Sequence, residues 1–119
     1  APDEILIEIR VPATARTVAY VKTEQKASGF ALAGVAVVIG ADGVRVGVTG
    51  IAAKAYRATA VERALAGHKT PTAAAVALAA SHAADGVDPL GDIHASPEFR
   101  AHLAQVNTKR AIAQALARA

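Results

Sequence analysis

Alternation of apolar and polar residues predicts β-strands in the first half of the chain. Residues 1–12 carry isoleucine at every second position from 5 to 9. This pattern predicts an edge strand that ends at Pro12, since proline cannot donate to a strand ladder. Three further strands are predicted over residues 17–26, 30–39 and 44–53, with a turn at 41–43 between the last two. These three consecutive strands indicate an antiparallel meander.

Helical spacing replaces the alternation after Lys54. Thr59 with Glu62 three residues later forms a capping-box pattern, which predicts a helix over 60–66 that ends at Gly67. A second helix is predicted over 71–84, with Thr70 as its cap and a proline in its first turn. Its composition is mostly alanine, valine and leucine, which indicates burial on several sides.

The last helix has the clearest start signal in the sequence. Residues 85–95 read as a loop, after which Ser96 is a cap, Pro97 the first helical residue and Glu98 an acid in the first turn. An apolar stripe is predicted over Phe99, Leu103, Val106, Ala113 and Leu116, with Arg100, Lys109 and Arg118 in water. Strands followed by helices predict an α+β fold, a three-stranded antiparallel meander packed against about three helices.

Composition agrees with one packed domain. The 119 residues are 53% hydrophobic and 19% charged, but only 3% aromatic, so Ala, Val, Leu and Ile must build the core. A core of small residues buries little area, so we expect the isolated chain to be only modestly stable. Self-association is one way in which it would gain stability. The absence of cysteine excludes disulfides and iron–sulfur ligation within the chain and fits a cytoplasmic location. The longest apolar run, residues 30–41, is too short for a membrane span, and no signal peptide is recognisable.

Charge and candidate ligands predict no self-contained chemistry. The net charge is +3, but the basic residues are scattered and lack interleaved aromatics, so nucleic acid is not an expected partner. The four histidines match no zinc motif, and neither Ser81 nor Ser96 lies in a nucleophile-elbow pattern. The glycines of residues 40–50 lack the strand–turn–helix context of a phosphate loop. Asp85, Asp88 and Asp92 favour a solvated loop over a weak cation site, because the calcium-loop pattern is missing.

Several stretches, in order, resemble the C-terminal domain of the FAD-binding medium subunit of molybdenum hydroxylases such as carbon monoxide dehydrogenase and xanthine dehydrogenase. The segment over 3–12 is similar to the one that leaves the flavin domain in that family. Tyr20-Val21-Lys22 with Phe30-Ala31-Leu32-Ala33 resembles its first strand pair, and residues 49–67 resemble its third strand and first helix. The most distinctive stretch is the last helix, with Ser96-Pro97-Glu98-Phe99-Arg100, His102-Leu103-Ala104 and Lys109-Arg110-Ala111.

The resemblance implies a role in electron transfer. Residues 1–12 would be the tail of, or linker from, a preceding FAD-binding domain, and residues 13–119 the C-terminal domain, which covers the flavin and is not catalytic alone. Lys22 and Phe30 match positions near the flavin ring, although Gly29 and Phe30 replace the acid and the Tyr or Trp that the family often carries. The alternative, purely structural interpretation is that Lys22 is a solvated strand lysine and Phe30 a core aromatic.

The implied partners are the FAD-binding domain, a molybdenum-containing large subunit and an iron–sulfur small subunit. Electrons would pass from the iron–sulfur clusters to FAD. Two other classes stay open: a small protein–protein interaction module without flavin contact, bound through the alanine-rich helices or a sheet edge, and, third, a free-standing small enzyme.

Overall fold

The computed structural model describes residues 3–11, 17–68 and 70–118 and confirms the α+β class. The elements are β1 (Thr17–Glu24), β2 (Ala31–Gly40), β3 (Gly43–Thr49), β4 (Tyr56–Arg57), α1 (Thr59–Ala64), α2 (Ala73–Ala80) and α3 (Pro97–Leu116). The sheet has four antiparallel strands in the order β1-β2-β3-β4. The predicted three-stranded meander was therefore one strand short, because the two residues of β4 are too few to show a period.

The prediction of a strand over residues 1–12 is wrong for residues 3–11, the part of this segment that the structure describes. Residues 3–11 form no strand, and their apolar side chains are at least 75% exposed. Pro12, the predicted end of that strand, lies outside the described residues. An alternating sequence forms a strand only when a partner strand accepts its hydrogen bonds, and no such partner lies beside this segment in the described part of the chain.

The two faces of the sheet differ sharply. On one face Val35 pairs with Val21 and Val48, and α3 packs across β1 and β2 to bury it. On the other face Ala36 pairs with Tyr20 and Gly47, and the side chains of Ala36 and Tyr20 are exposed. The alternation predicted for Val44, Val46 and Val48 is confirmed, since all three are buried.

Helix α3 begins as predicted but buries a different face. Ser96 caps it by accepting a hydrogen bond from the Phe99 N–H at 3.2 Å, and Pro97 is its first residue. The buried face consists of Arg100, Leu103, Ala104, Asn107, Thr108, Ala111, Ile112 and Ala115. Only Leu103 was in the predicted stripe. The alanines of the buried face let α3 approach the sheet closely. Three of the buried residues are polar, so the hydropathy pattern of the sequence does not mark this face as the buried one.

Arg100 was predicted to lie in water and is instead 4% exposed. Asn107, also fully buried, donates to the Ala33 carbonyl at 3.0 Å and is bonded to the Thr23 hydroxyl. Arg100 donates to the Leu32 carbonyl at 2.9 Å, so both side chains tie α3 to the backbone of β2. Each satisfies a carbonyl or hydroxyl that burial would otherwise leave without a donor.

The predicted caps of the first two helices were wrong. Helix α1 is capped by Ala58 without a side-chain hydrogen bond, and Glu62 instead accepts from the Val46 N–H at 2.9 Å and from Arg57 Nε at 2.7 Å. Burial would raise the pKa of Glu62, but hydrogen bonds from Arg57 and Val46 together with the positive charges of Arg57 and Arg45 hold that pKa below its ordinary value. Helix α2 is capped by Thr72, not Thr70. Within the described part, no helix is long and apolar enough to cross a membrane.

Candidate functional site

The structure places Lys22 on the open face of the sheet, at the end of β1 that leads into the β1–β2 loop. Its ammonium donates to the Gly29 carbonyl at 2.7 Å and pairs with the Glu24 carboxylate at 3.0 Å. The side chain is 32% exposed. Lys22 is thus bonded to the protein, not simply a solvated strand lysine, and it holds the peptide group that immediately precedes Phe30.

The β1–β2 loop between Lys22 and Phe30 is hydrogen-bonded along its length. The Gln25 N–H donates to the Phe30 carbonyl at 2.9 Å, and the Gly29 N–H donates to the Gln25 carbonyl at 2.7 Å. The Gln25 side chain accepts from both the backbone and the hydroxyl of Ser28. Gly29 has a φ of 73°, a conformation that glycine adopts without a steric penalty. The chain therefore enters β2 from a defined loop, with Phe30 at its end.

Phe30 is not the core aromatic of the alternative, purely structural interpretation, because 43% of it is exposed. Its ring meets the ring of His94 in an edge arrangement, with centroids 5.6 Å apart and an interplanar angle of 65°. His94 belongs to the loop between α2 and α3, more than sixty residues away in the sequence. The fold therefore brings a distant ring beside one of the two predicted site residues.

Asp92 and Arg100 fix this second loop. One Asp92 oxygen accepts from the N–H groups of His94 at 2.9 Å and Ala95 at 3.0 Å, and the other accepts from the Arg100 guanidinium. The Arg100 hydrogen bond and the His94 N–H hold the pKa of Asp92 below its ordinary value. Asp92 is therefore an ion-pair partner and turn former, not part of a cation site.

The same guanidinium joins the loop to the sheet. Arg100 Nη1 donates to the Leu32 carbonyl at 2.9 Å and to the Gly50 carbonyl at 2.7 Å. Gly50 has a φ of 86°, and a β-carbon there would lie 2.5 Å from the Ala31 carbonyl oxygen. Only glycine therefore allows the backbone to approach the start of β2 this closely. We call the convergence of Lys22, Phe30, Asp92, His94 and Arg100 the β2 corner.

The other candidate groups form no comparable site. His82 contacts Asp85 at 2.7 Å on the surface, and no group of three or more His, Asp or Glu residues suited to a metal exists within the described residues. A groove of about 640 Å³ lies at the opposite end of β2, between the β2–β3 turn and α1. Two of its charged residues, Arg45 and Asp42, pair with each other at 3.6 Å. That groove shares no residue with the β2 corner.

Comparison with known proteins assigns the fold to a family. A family model described as the CO dehydrogenase flavoprotein C-terminal domain matches residues 18–115. The chain belongs to that family. It is 34% identical over 123 residues to the carbon monoxide dehydrogenase medium chain of Hydrogenophaga pseudoflava, covering 98% of this chain and 42% of the relative.

Solved structures agree with this assignment to the flavoprotein C-terminal domain family. The carbon monoxide dehydrogenase of H. pseudoflava that lacks the Mo-pyranopterin moiety matches with a TM-score of 0.79 and 36% identity, over 91% of this chain and 40% of that one. Quinoline 2-oxidoreductase from Pseudomonas putida 86 matches with a TM-score of 0.79 and 26% identity, over 90% of this chain and 39% of that one. The chain thus spans about two-fifths of the length of these relatives.

Sequence reasoning missed three residues of the β2 corner in this flavoprotein C-terminal domain. Arg100 was wrongly assigned to water, whereas Asp92 and His94 are exposed as predicted and only their contacts were missed. The sequence held one local signal: an aspartate two residues before His94 is typical of a turn in which the carboxylate accepts backbone N–H groups, as Asp92 does here. Lys22 and Phe30 were both singled out, and the structure links them through the Gly29 peptide.

Proposed function

We propose that this domain covers the ring end of an FAD molecule held by a preceding domain, and that it supports electron transfer from iron–sulfur clusters to that FAD. The observation that carries the proposal is a half-exposed aromatic ring, Phe30, on a corner fixed by buried hydrogen bonds in a domain of a flavoprotein family. A fixed aromatic on a surface is suited to pack against a flat ring, since little further order is lost on contact.

The residues present fit the ring end of a flavin. Phe30 offers an exposed aromatic surface, and Lys22 offers the positive charge of an ammonium one peptide away. Bound FAD supplies the redox chemistry, taking up electrons and passing them on. A nearby ammonium favours negative charge on the ring, which develops on reduction. Glu24 partly offsets this effect because it pairs with the same ammonium at 3.0 Å.

Lys22 gives this proposal an electrochemical test in the full subunit. Lys22→Met removes the ammonium, and we expect a two-electron reduction potential lower by roughly 10–30 mV. Lys22→Arg keeps the charge and should change the potential much less, and Lys54→Met, which removes an exposed lysine from the turn after β3, is the matched control. Equal potentials for Lys22→Met and wild type would remove Lys22 from the flavin environment.

The exposed apolar residues of the segment over residues 3–11 support the proposal that another domain packs against it. Its five large apolar residues are each at least 75% exposed, at Ile5, Leu6, Ile7, Ile9 and Val11. Burial of such side chains is favourable at about 25 cal/mol per Å², so a run of this kind is expected to be covered in the whole protein. We assign its cover to the FAD-binding domain, with residues 1–12 as the link. The large molybdenum subunit and the small iron–sulfur subunit are the proposed further partners.

Flavin titration tests the main proposal. We expect the 119-residue chain alone to bind FAD poorly and the whole flavoprotein subunit to bind it well. In the subunit, Phe30→Ala should weaken binding or restore flavin fluorescence, whereas Phe99→Ala, at a ring similarly exposed on α3, should not. Tight FAD binding by the 119-residue chain with a shifted flavin spectrum, or an unchanged titration for Phe30→Ala, would contradict the proposal.

A protein–protein interaction module without flavin contact is the second candidate. It is favoured by Ile93, 94% exposed, and Leu90, 49% exposed, on the loop that leads to the β2 corner. Substituting Ile93 and Leu90 by serine separates the two functions. Loss of subunit assembly with unchanged FAD binding by the isolated flavoprotein subunit would favour the interaction module.

A further inference from the structure

We infer that His94 is a positioning residue that holds the Phe30 ring in the orientation in which it meets the flavin. This inference rests on the proposed function and adds to it a residue from a distant loop. The contact itself is the edge arrangement of the two rings, with centroids 5.6 Å apart. No other aromatic pair occurs among the described residues.

The backbone of His94 is held on one side by the loop itself. The Asp92 carboxylate accepts from its N–H at 2.9 Å, and the Asp92 N–H donates to the Ala95 carbonyl at 3.1 Å. The Leu90 N–H, two residues before Asp92, donates to the Ile51 carbonyl at 2.7 Å and ties the loop to the bend that follows β3. An exposed imidazole on this loop is therefore carried by an ordered backbone.

The backbone segments that carry the two rings are joined through the same guanidinium. Arg100 binds the Asp92 carboxylate on the His94 side and the Leu32 carbonyl, two residues after Phe30, on the other. Arg100 is 4% exposed and its bond to the Leu32 carbonyl is buried, whereas its bond to Asp92 is only partly buried because the Asp92 side chain is 43% exposed. A hydrogen-bonded link through Arg100 therefore holds the backbones on either side of the ring contact, and the contact itself is made by the two side chains.

The physical role of His94 follows from the exposure of Phe30. A ring with 43% exposure has few neighbours to select one side-chain rotamer, and a second ring in edge contact restricts that choice. Aromatic pairs of this kind favour offset or edge geometry because the ring edge is positive and the face negative. Removing His94 should let Phe30 reorient and should weaken flavin contact without unfolding the domain.

The test uses the whole flavoprotein subunit and three variants. His94→Leu keeps volume but removes the ring, His94→Phe keeps the ring, and His102→Leu changes an exposed histidine of α3 as the matched control. We expect His94→Leu to raise the FAD dissociation constant by roughly two- to tenfold, the range of one aromatic pair. His94→Phe should restore binding, and the urea midpoint of all three should stay at the wild-type value.

A double-variant comparison separates positioning from a general structural effect. In a Phe30→Ala background, His94→Leu should have no further effect on FAD binding, because there is no ring left to position. An equal loss in both backgrounds, or failure of His94→Phe to restore binding, would overturn the inference while leaving the proposed function intact. If Phe30→Ala itself leaves FAD binding unchanged, the proposed function fails and the inference falls with it.

Discussion

The buried guanidinium of Arg100 provides the sharpest prediction about stability. Arg100→Met keeps much of the side-chain volume but removes every hydrogen bond, so the carbonyls of Leu32 and Gly50 lose a charged donor. A hydrogen bond to a charged group contributes about 1.5–3 kcal/mol, and the Gly50 carbonyl, only partly buried, regains some water. We therefore expect a loss of about 3 kcal/mol in the free energy of unfolding. The exposed carboxylate of Asp92 adds little, since water replaces its partner.

Urea denaturation followed by circular dichroism measures this loss. A decrease of about 3 kcal/mol corresponds to a midpoint lower by roughly 2 M urea and a melting temperature lower by roughly 10 °C for a domain of this size. Arg110→Met removes an exposed arginine from the same helix and should change stability by less than about 0.5 kcal/mol. Arg100→Lys keeps the charge but not the planar fork, so an intermediate loss is expected. An Arg100→Met variant as stable as Arg110→Met would refute the reasoning.

Three further predictions concern the frame of the fold. Gly50→Ala should lower the free energy of unfolding by more than about 2 kcal/mol, because a β-carbon there meets a backbone oxygen at 2.5 Å. Gly43→Ala, also at positive φ but in open space, should lower it less, and the urea midpoints of the two variants measure the difference. Since the folded pKa of Glu62 is lowered, its stabilisation is present above the unfolded pKa, about 4.3, and is lost as pH falls through the folded value. Glu62→Gln should flatten this acid limb, and an unchanged limb would contradict the assignment. Tyr56→Phe should cost about 1 kcal/mol by removing the 2.8 Å bond to the Ala83 carbonyl, and ultraviolet titration of the wild type should show one tyrosine with a pKa of about 12, raised by burial.

The start of α3 shows what the sequence can predict well. Ser96, Pro97 and Glu98 each act through the local backbone, so the helix begins where the pattern indicates. The face that α3 buries could not be predicted in the same way. Arg100 and Asn107 are buried where they donate hydrogen bonds to carbonyls of β2. These carbonyls need a donor from α3 only once the helix has packed on the sheet, so the sequence of α3 alone does not reveal the pairing.

The β2 corner shows the same division. The resemblance to a flavoprotein family singled out Lys22 and Phe30, which are near each other in the chain. His94 could not be placed beside Phe30 from the sequence, because the contact depends on a turn at Asp92 that a buried arginine from another element holds. Tertiary contacts between distant loops have no periodic signature, whereas caps, turns and strand alternation do.

Hydrogen exchange of the whole flavoprotein subunit, with and without FAD, tests the central claim most directly. If the β2 corner covers the flavin, FAD should slow amide exchange in the β1–β2 loop over residues 25–30 and in the loop over residues 90–95. The exposed surface of α1, at the far end of the sheet, should exchange at the same rate in both states. Protection confined to the preceding domain, with no change in either loop of the β2 corner, would contradict the account.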